Sequence, residues 1–203
     1  MSNLFFEKKY ADLGYDFICG VDEAGAGPLA GPVAAAAVIM PAGLVIDGVN
    51  DSKKLSEKKR SNLSQIIIEK ALSWHIALVQ HDEIDEINIL QARMKAMQEA
   101  IAGLMPKADF ALIDGNRKPE LDIPSVAIEG GDTRSFTIAC ASILAKVSRD
   151  AIMVDYHEKY PQYGFDRHKG YGTKAHKEAI SQFGLSPIHR QTFCKGYRRN
   201  EGT

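Results

Sequence analysis

Apolar residues recur along the chain in two rhythms. Unbroken apolar runs at residues 17–22, 33–40 (VAAAAVIM), 74–80 (WHIALVQ), 110–114 (FALID) and 125–128 (SVAI) have the length and make-up of buried strands. A second rhythm, every three or four residues, predicts helices. Ser56 is placed to cap one with Leu63, Ile66 and Ile67 on its inner face. Ile84, Ile87, Leu90, Met94, Met97, Ile101 and Leu104 predict a single long helix with one core-facing stripe. From about Ser135, Ile143, Leu144, Val147, Ala151 and Val154 mark another, which Pro161 must end. A last helix runs from a Thr173 cap to Gly184, with Pro187 beyond. Strands interleaved with helices predict an α/β domain whose ends are more helical than its middle.

Length and composition narrow this picture. The 203 residues, 45% hydrophobic and 25% charged, suit one globular domain and exclude a disordered or fibrous chain. No stretch is apolar enough for a membrane span, and the first residues carry acids without a hydrophobic signal core, so a cytoplasmic protein with no membrane partner is expected. Cys19, Cys140 and Cys194 lie far apart, which fits free buried thiols rather than a disulfide or zinc framework. The net charge of -1 conceals an asymmetry: residues 1–140 hold 14 Lys and Arg against 20 Asp and Glu, residues 141–203 hold 11 against 6. A basic final third points to an extended anionic partner such as nucleic acid, with a plain solvated surface as the alternative.

The candidate chemistry begins at "GVDEAGAGPLAG", where a buried strand delivers Asp22 and Glu23 side by side. Adjacent strand residues point to opposite faces, so only one of the pair can reach water from a half-buried strand. Two other apolar runs also end next to acids, Asp114 in "ALIDGN" and Asp132 in "AIEGGD". Taken singly, Asp114 reads as a turn residue and Asp132 as a helix cap. If the four converge, like charges ~4 Å apart repel by roughly 4 kcal/mol at an effective dielectric near 20, which demands cations or shared protons. An oxygen-only ligand set selects Mg²⁺ or Mn²⁺, and a pair of such ions serves in-line phosphodiester hydrolysis. The spacing of the glycines also fits a dinucleotide-binding turn, but Pro32 obstructs the helix that should follow, and the acids would repel a pyrophosphate. Gly25 and Gly27 instead allow backbone to approach a sugar or phosphate closely. Lys53 precedes a helix where it can meet a phosphate or belong to a solvated helix start. The segment 163–177 mixes rings with His168, Lys169, Lys174 and Lys177, as a nucleic-acid surface does.

Together "GVDEAGAGPLAGPVAAAAVI", "NDSKKLS", "ALIDGN", "GGD", "ACASILAKVSRD", "PQYGFDRHKGYGT" and "PIHRQTF" resemble bacterial ribonuclease HII in order and spacing over nearly the whole chain. The resemblance implies a ribonuclease H-like fold: a mixed five-stranded sheet with helices on both sides, about 1–160, and a small C-terminal helical region that grips substrate, about 161–203. It implies that Asp22, Glu23, Asp114 and Asp132 are catalytic and bind two divalent ions, Mg²⁺ or Mn²⁺, and that Lys53 contacts phosphate. By the same likeness Tyr171 packs on a sugar, and the backbone of Gly25, Ala26 and Gly27 senses the 2′-hydroxyl. Implied partners are RNA/DNA hybrids and DNA duplexes containing ribonucleotides, cut 5′ to the ribonucleotide to leave a 3′-hydroxyl and a 5′-phosphate; a monomer is the default expectation. The family reads Gly-Arg-Gly in this loop, and Ala26 departs from it; loss of that guanidinium is expected to weaken binding or blur junction preference while leaving the chemistry.

Overall fold

The computed structural model describes residues 3–197, so residues 1–2, and 198–203 at the end of the expected C-terminal region, lie outside it. Five strands, β1 (Ile18–Ala24), β2 (Val33–Ile39), β3 (Ser73–Val79), β4 (Phe110–Asp114) and β5 (Ser125–Ile128), form one sheet in the order β3-β2-β1-β4-β5. The pairs β1–β2 and β2–β3 are antiparallel; β1–β4 and β4–β5 are parallel. This is the mixed five-stranded sheet that the resemblance implied. Because β2 pairs with β1 as far as Ala24, the strand runs through both acids instead of stopping at residue 22. The glycine segment joins two antiparallel strands and leads into no helix, which removes the dinucleotide-turn reading.

Strand alternation sends one set of apolar side chains to each face. Cys19, Val21, Ala35, Ala37, Ala111 and Ile113 pack against α3 (His81–Ala102), while Ala36 and Val38 meet α2 (Glu57–Lys70) and α5 (Phe136–Lys159) on the other. Ser56 and Ser135 accept hydrogen bonds from the first turns of α2 and α5, and α5 ends just before Pro161. The short helix α1 (Phe5–Ala11), not expected from the pattern, stacks Tyr10 on Phe110 with ring centroids 4.0 Å apart. Its Glu7 accepts the Thr137 N–H at 2.9 Å and the Ser135 hydroxyl at 2.7 Å, placing a negative charge at the start of α5. Gly20 is where α5 rests directly on β1: a methyl group there would lie 2.2 Å from the Thr137 carbonyl carbon.

The predicted long helix is not continuous. Asn88 takes φ 66° and ψ 162°, and its side chain accepts the N–H groups of Leu90 and Gln91, restarting α3 after a break. The apolar stripe survives because both halves keep Ile84, Ile87, Met94 and Met97 toward the sheet. Beyond α5, α6 (Phe165–His168) and α7 (Lys174–Phe183) enclose a satellite core of Ala30, Met153, Tyr163, Phe165, Ile180 and Ile188. Thr173 caps α7 and Gly184 ends it, as the sequence indicates. The three cysteines are free and buried, and among the described residues no helix is long and apolar enough to cross a membrane.

Candidate active site

Asp22 on β1 and Asp114 at the end of β4 are neighbours across the parallel pair, since Val21 registers with Ile113. Asp132 lies in α4 (Gly131–Arg134), whose first residues fold back so that the Asp132 N–H approaches Asp114 Oδ1 at 3.4 Å. It is therefore not a helix cap: Gly130 begins α4, and Ser135 caps α5. Asp22 faces α5, where the Ser142 hydroxyl donates to it and meets Ser52 Oγ at 2.9 Å. Glu23 points to the opposite side, toward α3, where an Arg93 guanidinium nitrogen lies 2.5 Å from Oε1. Its other oxygen, Oε2, is buried with no hydrogen-bond partner among the described residues, and so is Arg93 Nε.

The charges oppose one another. Burial raises the Asp22 carboxyl well above its usual range, and the charges of Glu23 and Asp114 add to it. Glu23 is also raised by burial, against the pull of Arg93 and with Asp114 pushing the same way. For Asp132 burial leads, followed by Asp114 and Asp51, with Lys53 opposing; a hydrogen bond shared with the Asp51 carboxyl adds to the rise. Lys53 stands in a single 3-10 turn (Ser52–Lys54) whose cap, Asp51, accepts the Lys53 N–H at 2.9 Å. Burial lowers its ammonium, but Asp132, Asp22, Asp51 and Asp114 outweigh this and raise it overall. All four predicted acids and Lys53 thus share one electrostatic neighbourhood. Among the described residues no three carboxylate, imidazole or thiol side chains are already drawn around a point that would hold an ion. Glu23 is engaged by Arg93. The donor set nevertheless fits a hard cation: hard oxygens, mutual repulsion, and one buried carboxylate oxygen left without a donor.

The glycine loop is held from beneath by two buried arginines. Arg190 donates to the carbonyls of Gly31 at 3.0 Å, Ala26 at 3.0 Å and Gly25 at 2.7 Å. Arg149 donates to Pro32 at 2.9 Å, Ala30 at 3.1 Å and Lys169 at 2.9 Å. Gly25 adopts φ 94°, and a side chain there would run into Arg149. Among the described residues nothing demands Gly27: a methyl group would meet the Tyr171 ring at 3.8 Å. Tyr171 is 43% exposed beside it.

The segment 163–177 is only partly the basic, ring-bearing surface expected. Tyr163, Phe165, Lys169 and His176 are buried, half-buried His168 stacks on His176 with centroids 4.3 Å apart, and Tyr171, Lys174 and Lys177 are the exposed members of the expected set. The amphipathic register of α7 and the left-handed Lys169 turn them inward. A directed chain results. The Ser186 N–H donates to His189 Nδ1, so His189 donates from Nε2 to His176 Nε2 at 3.0 Å, and His176 Nδ1 donates to the Tyr171 carbonyl at 2.9 Å. Sequence reasoning missed Asp51, Ser52, Ser142, Arg93, Arg149 and Arg190 as contributors, although Asp51 and Ser52 lie within "NDSKKLS", Ser142 and Arg149 within "ACASILAKVSRD" and Arg190 within "PIHRQTF"; Arg93 lies in none of these motifs.

A family model described as Ribonuclease HII matches residues 19–196. The ribonuclease HII of Idiomarina loihiensis is 60% identical over 176 residues, spanning 87% of this chain and 94% of that one. The ribonuclease HII of Ruminiclostridium cellulolyticum is 54% identical over 194 residues, 96% of this chain and 76% of that one. Among solved structures, ribonuclease H2 from Pyrococcus horikoshii OT3 superposes with a TM-score of 0.75 at 25% identity, covering 91% of this chain and all of that one. Bst-RNase HIII in complex with Mn²⁺ superposes with a TM-score of 0.60 at 17% identity, covering 85% and 63%, a likeness of fold.

Proposed function

Because the chain belongs to the ribonuclease HII family and is a ribonuclease H endonuclease, we propose that it hydrolyses the phosphodiester 5′ to a ribonucleotide, in duplex DNA and in RNA/DNA hybrids. The products are a 3′-hydroxyl and a 5′-phosphate. Asp22, Glu23, Asp114 and Asp132 hold two divalent ions, Mg²⁺ or Mn²⁺; a fold neighbour described with Mn²⁺ agrees with that choice. When bound, the ions supply activation of a water and stabilisation of the leaving oxygen. The observation that carries the reading is the placement of Asp22 and Asp114 on adjacent parallel strands, with Glu23 and Asp132 in the same field and most of the set disfavoured as free anions.

The chain's own groups supply binding and orientation. Lys53, raised by the surrounding acids, stays charged and meets a phosphate beside them. Ser142 orients the Asp22 carboxylate. Arg190 holds the Gly25 and Ala26 carbonyls inward, leaving the outer face of the loop to read the 2′-hydroxyl, and the room above Gly27 admits a sugar next to the Tyr171 ring. Residues from about 161 onward grip the duplex, and the protein acts as a cytoplasmic monomer. Ala26 leaves the loop without the family's guanidinium, which weakens binding or blurs junction preference while sparing the chemistry.

The test is digestion of a DNA duplex bearing one ribonucleotide, mapped to the nucleotide, with an all-DNA control. Cleavage 5′ to the ribonucleotide that appears with Mg²⁺ or Mn²⁺ and stops with chelator is the expected result. Tight binding without turnover would instead make the chain a hybrid-binding module. Ala26→Arg is expected to tighten binding or sharpen the junction, and no change on this duplex would overturn the role given to position 26.

A further inference from the structure

The cation closest to the carboxylates comes from the opposite face of the sheet from Lys53, and the sequence pattern hides it among the core-facing residues of α3. Arg93 follows the break at Asn88 by little more than one helical turn, so the restart of α3 fixes the direction in which its side chain leaves. It reaches Glu23 at 2.5 Å, with its side chain 31% exposed against 11% for Glu23. The pair is incomplete on both sides. A bidentate fork would use Nε and both carboxylate oxygens, yet Arg93 Nε and Glu23 Oε2 are each buried and unpartnered. An arginine anchored by one edge to a carboxylate of the proposed ion-binding set keeps donor capacity free for a second anionic partner.

We propose that Arg93 is a positioning residue that takes over the cationic duty missing from the glycine loop at Ala26: it holds Glu23 while no ion is bound and passes to the phosphodiester backbone when Glu23 exchanges it for a divalent ion. This rests on the two-ion nuclease reading above. The exchange moves no covalent bond. Glu23 trades one positive partner for another, and the released guanidinium, already at the rim of the acid pocket, meets the negative strand that arrives with the ions. Arg93 therefore competes with ion binding and assists duplex binding, two effects of opposite sign that a purely structural side chain would not produce.

Arg93→Gln separates them. Mn²⁺ binding to the protein alone, measured by calorimetry, is expected to tighten about three- to tenfold once the neighbouring positive charge is gone. On the single-ribonucleotide duplex the same variant is expected to raise KM about three- to tenfold, with a smaller change in kcat, and to make binding less sensitive to salt. Adding Ala26→Arg to Arg93→Gln is expected to restore KM by more than Ala26→Arg improves the parent protein. Weaker Mn²⁺ binding in Arg93→Gln, or unchanged Mn²⁺ affinity and KM, would overturn the proposal. Failure of the parent protein to cleave with any divalent ion would strike the nuclease reading instead, while the Mn²⁺ comparison would still report on the Arg93–Glu23 pair.

Discussion

Two neighbouring parts of the molecule bury charge and treat it in opposite ways. At the ends of β1 and β4 the carboxylates crowd one another, burial and mutual repulsion raise Asp22 and Glu23, and a buried Glu23 oxygen has no donor among the described residues. Beneath the glycine loop Arg149 and Arg190 are buried as deeply, at 1% and 0% exposure, yet their guanidiniums reach six backbone carbonyls. Charge satisfied from within fixes a shape. Charge left unsatisfied gives up stability and marks the place where something from outside must bind.

The largest expected effect comes from the unsatisfied side. Asp22→Asn removes one of the mutually repelling anions, so cleavage of the single-ribonucleotide duplex is expected to fall by at least about a thousandfold, while the melting temperature holds or rises. A fall in melting temperature with most activity kept would make Asp22 a structural residue and dissolve the contrast. Next comes Arg190→Met, which leaves the Gly25, Ala26 and Gly31 carbonyls without their donor. At about 1 to 3 kcal/mol for each orphaned buried group, a loss of roughly 3 kcal/mol or more in denaturant unfolding is expected, and an unchanged midpoint would show that water replaces the guanidinium freely. The effect that is smallest at neutral pH concerns the histidine chain, satisfied without charge. Burial leads in lowering His176 and His189 from 6.5 to about 4, with neighbouring histidines adding to it. Since the unfolded chain takes up protons below 6.5 that the folded one refuses, stability is full above that pH and declines as pH falls toward 4. Melting temperatures measured across this window are expected to drop, and a flat profile would mean the histidines titrate alike in both states.

The sheet, the two long capped helices and the four acids were legible because each rests on a local rule: unbroken apolar strands, serine and threonine caps, prolines that end helices, acids at strand ends. What stayed hidden depends on distant partners. Arg93 reads as one more polar position beside a core stripe until α3 is laid against β1. Arg149 and Arg190 look like ordinary surface cations, and only the fold supplies the carbonyls that let them be buried. The break at Asn88 escaped because the stripe continues across it, and α1 because its seven residues gain their hold from distant partners, among them Phe110, Arg134 and the start of α5.

Gly20 sits two residues before the first acid, with no room for even one carbon between β1 and the backbone of Thr137. Main chain cannot rotate aside as a side chain can, so any larger residue must lift the entire 24-residue helix that also bears Ser142 and Arg149. A single hydrogen-sized gap thus acts as the fulcrum of a rigid beam, tying the alignment of Asp22 and the posture of the loop that follows it to one point on the strand.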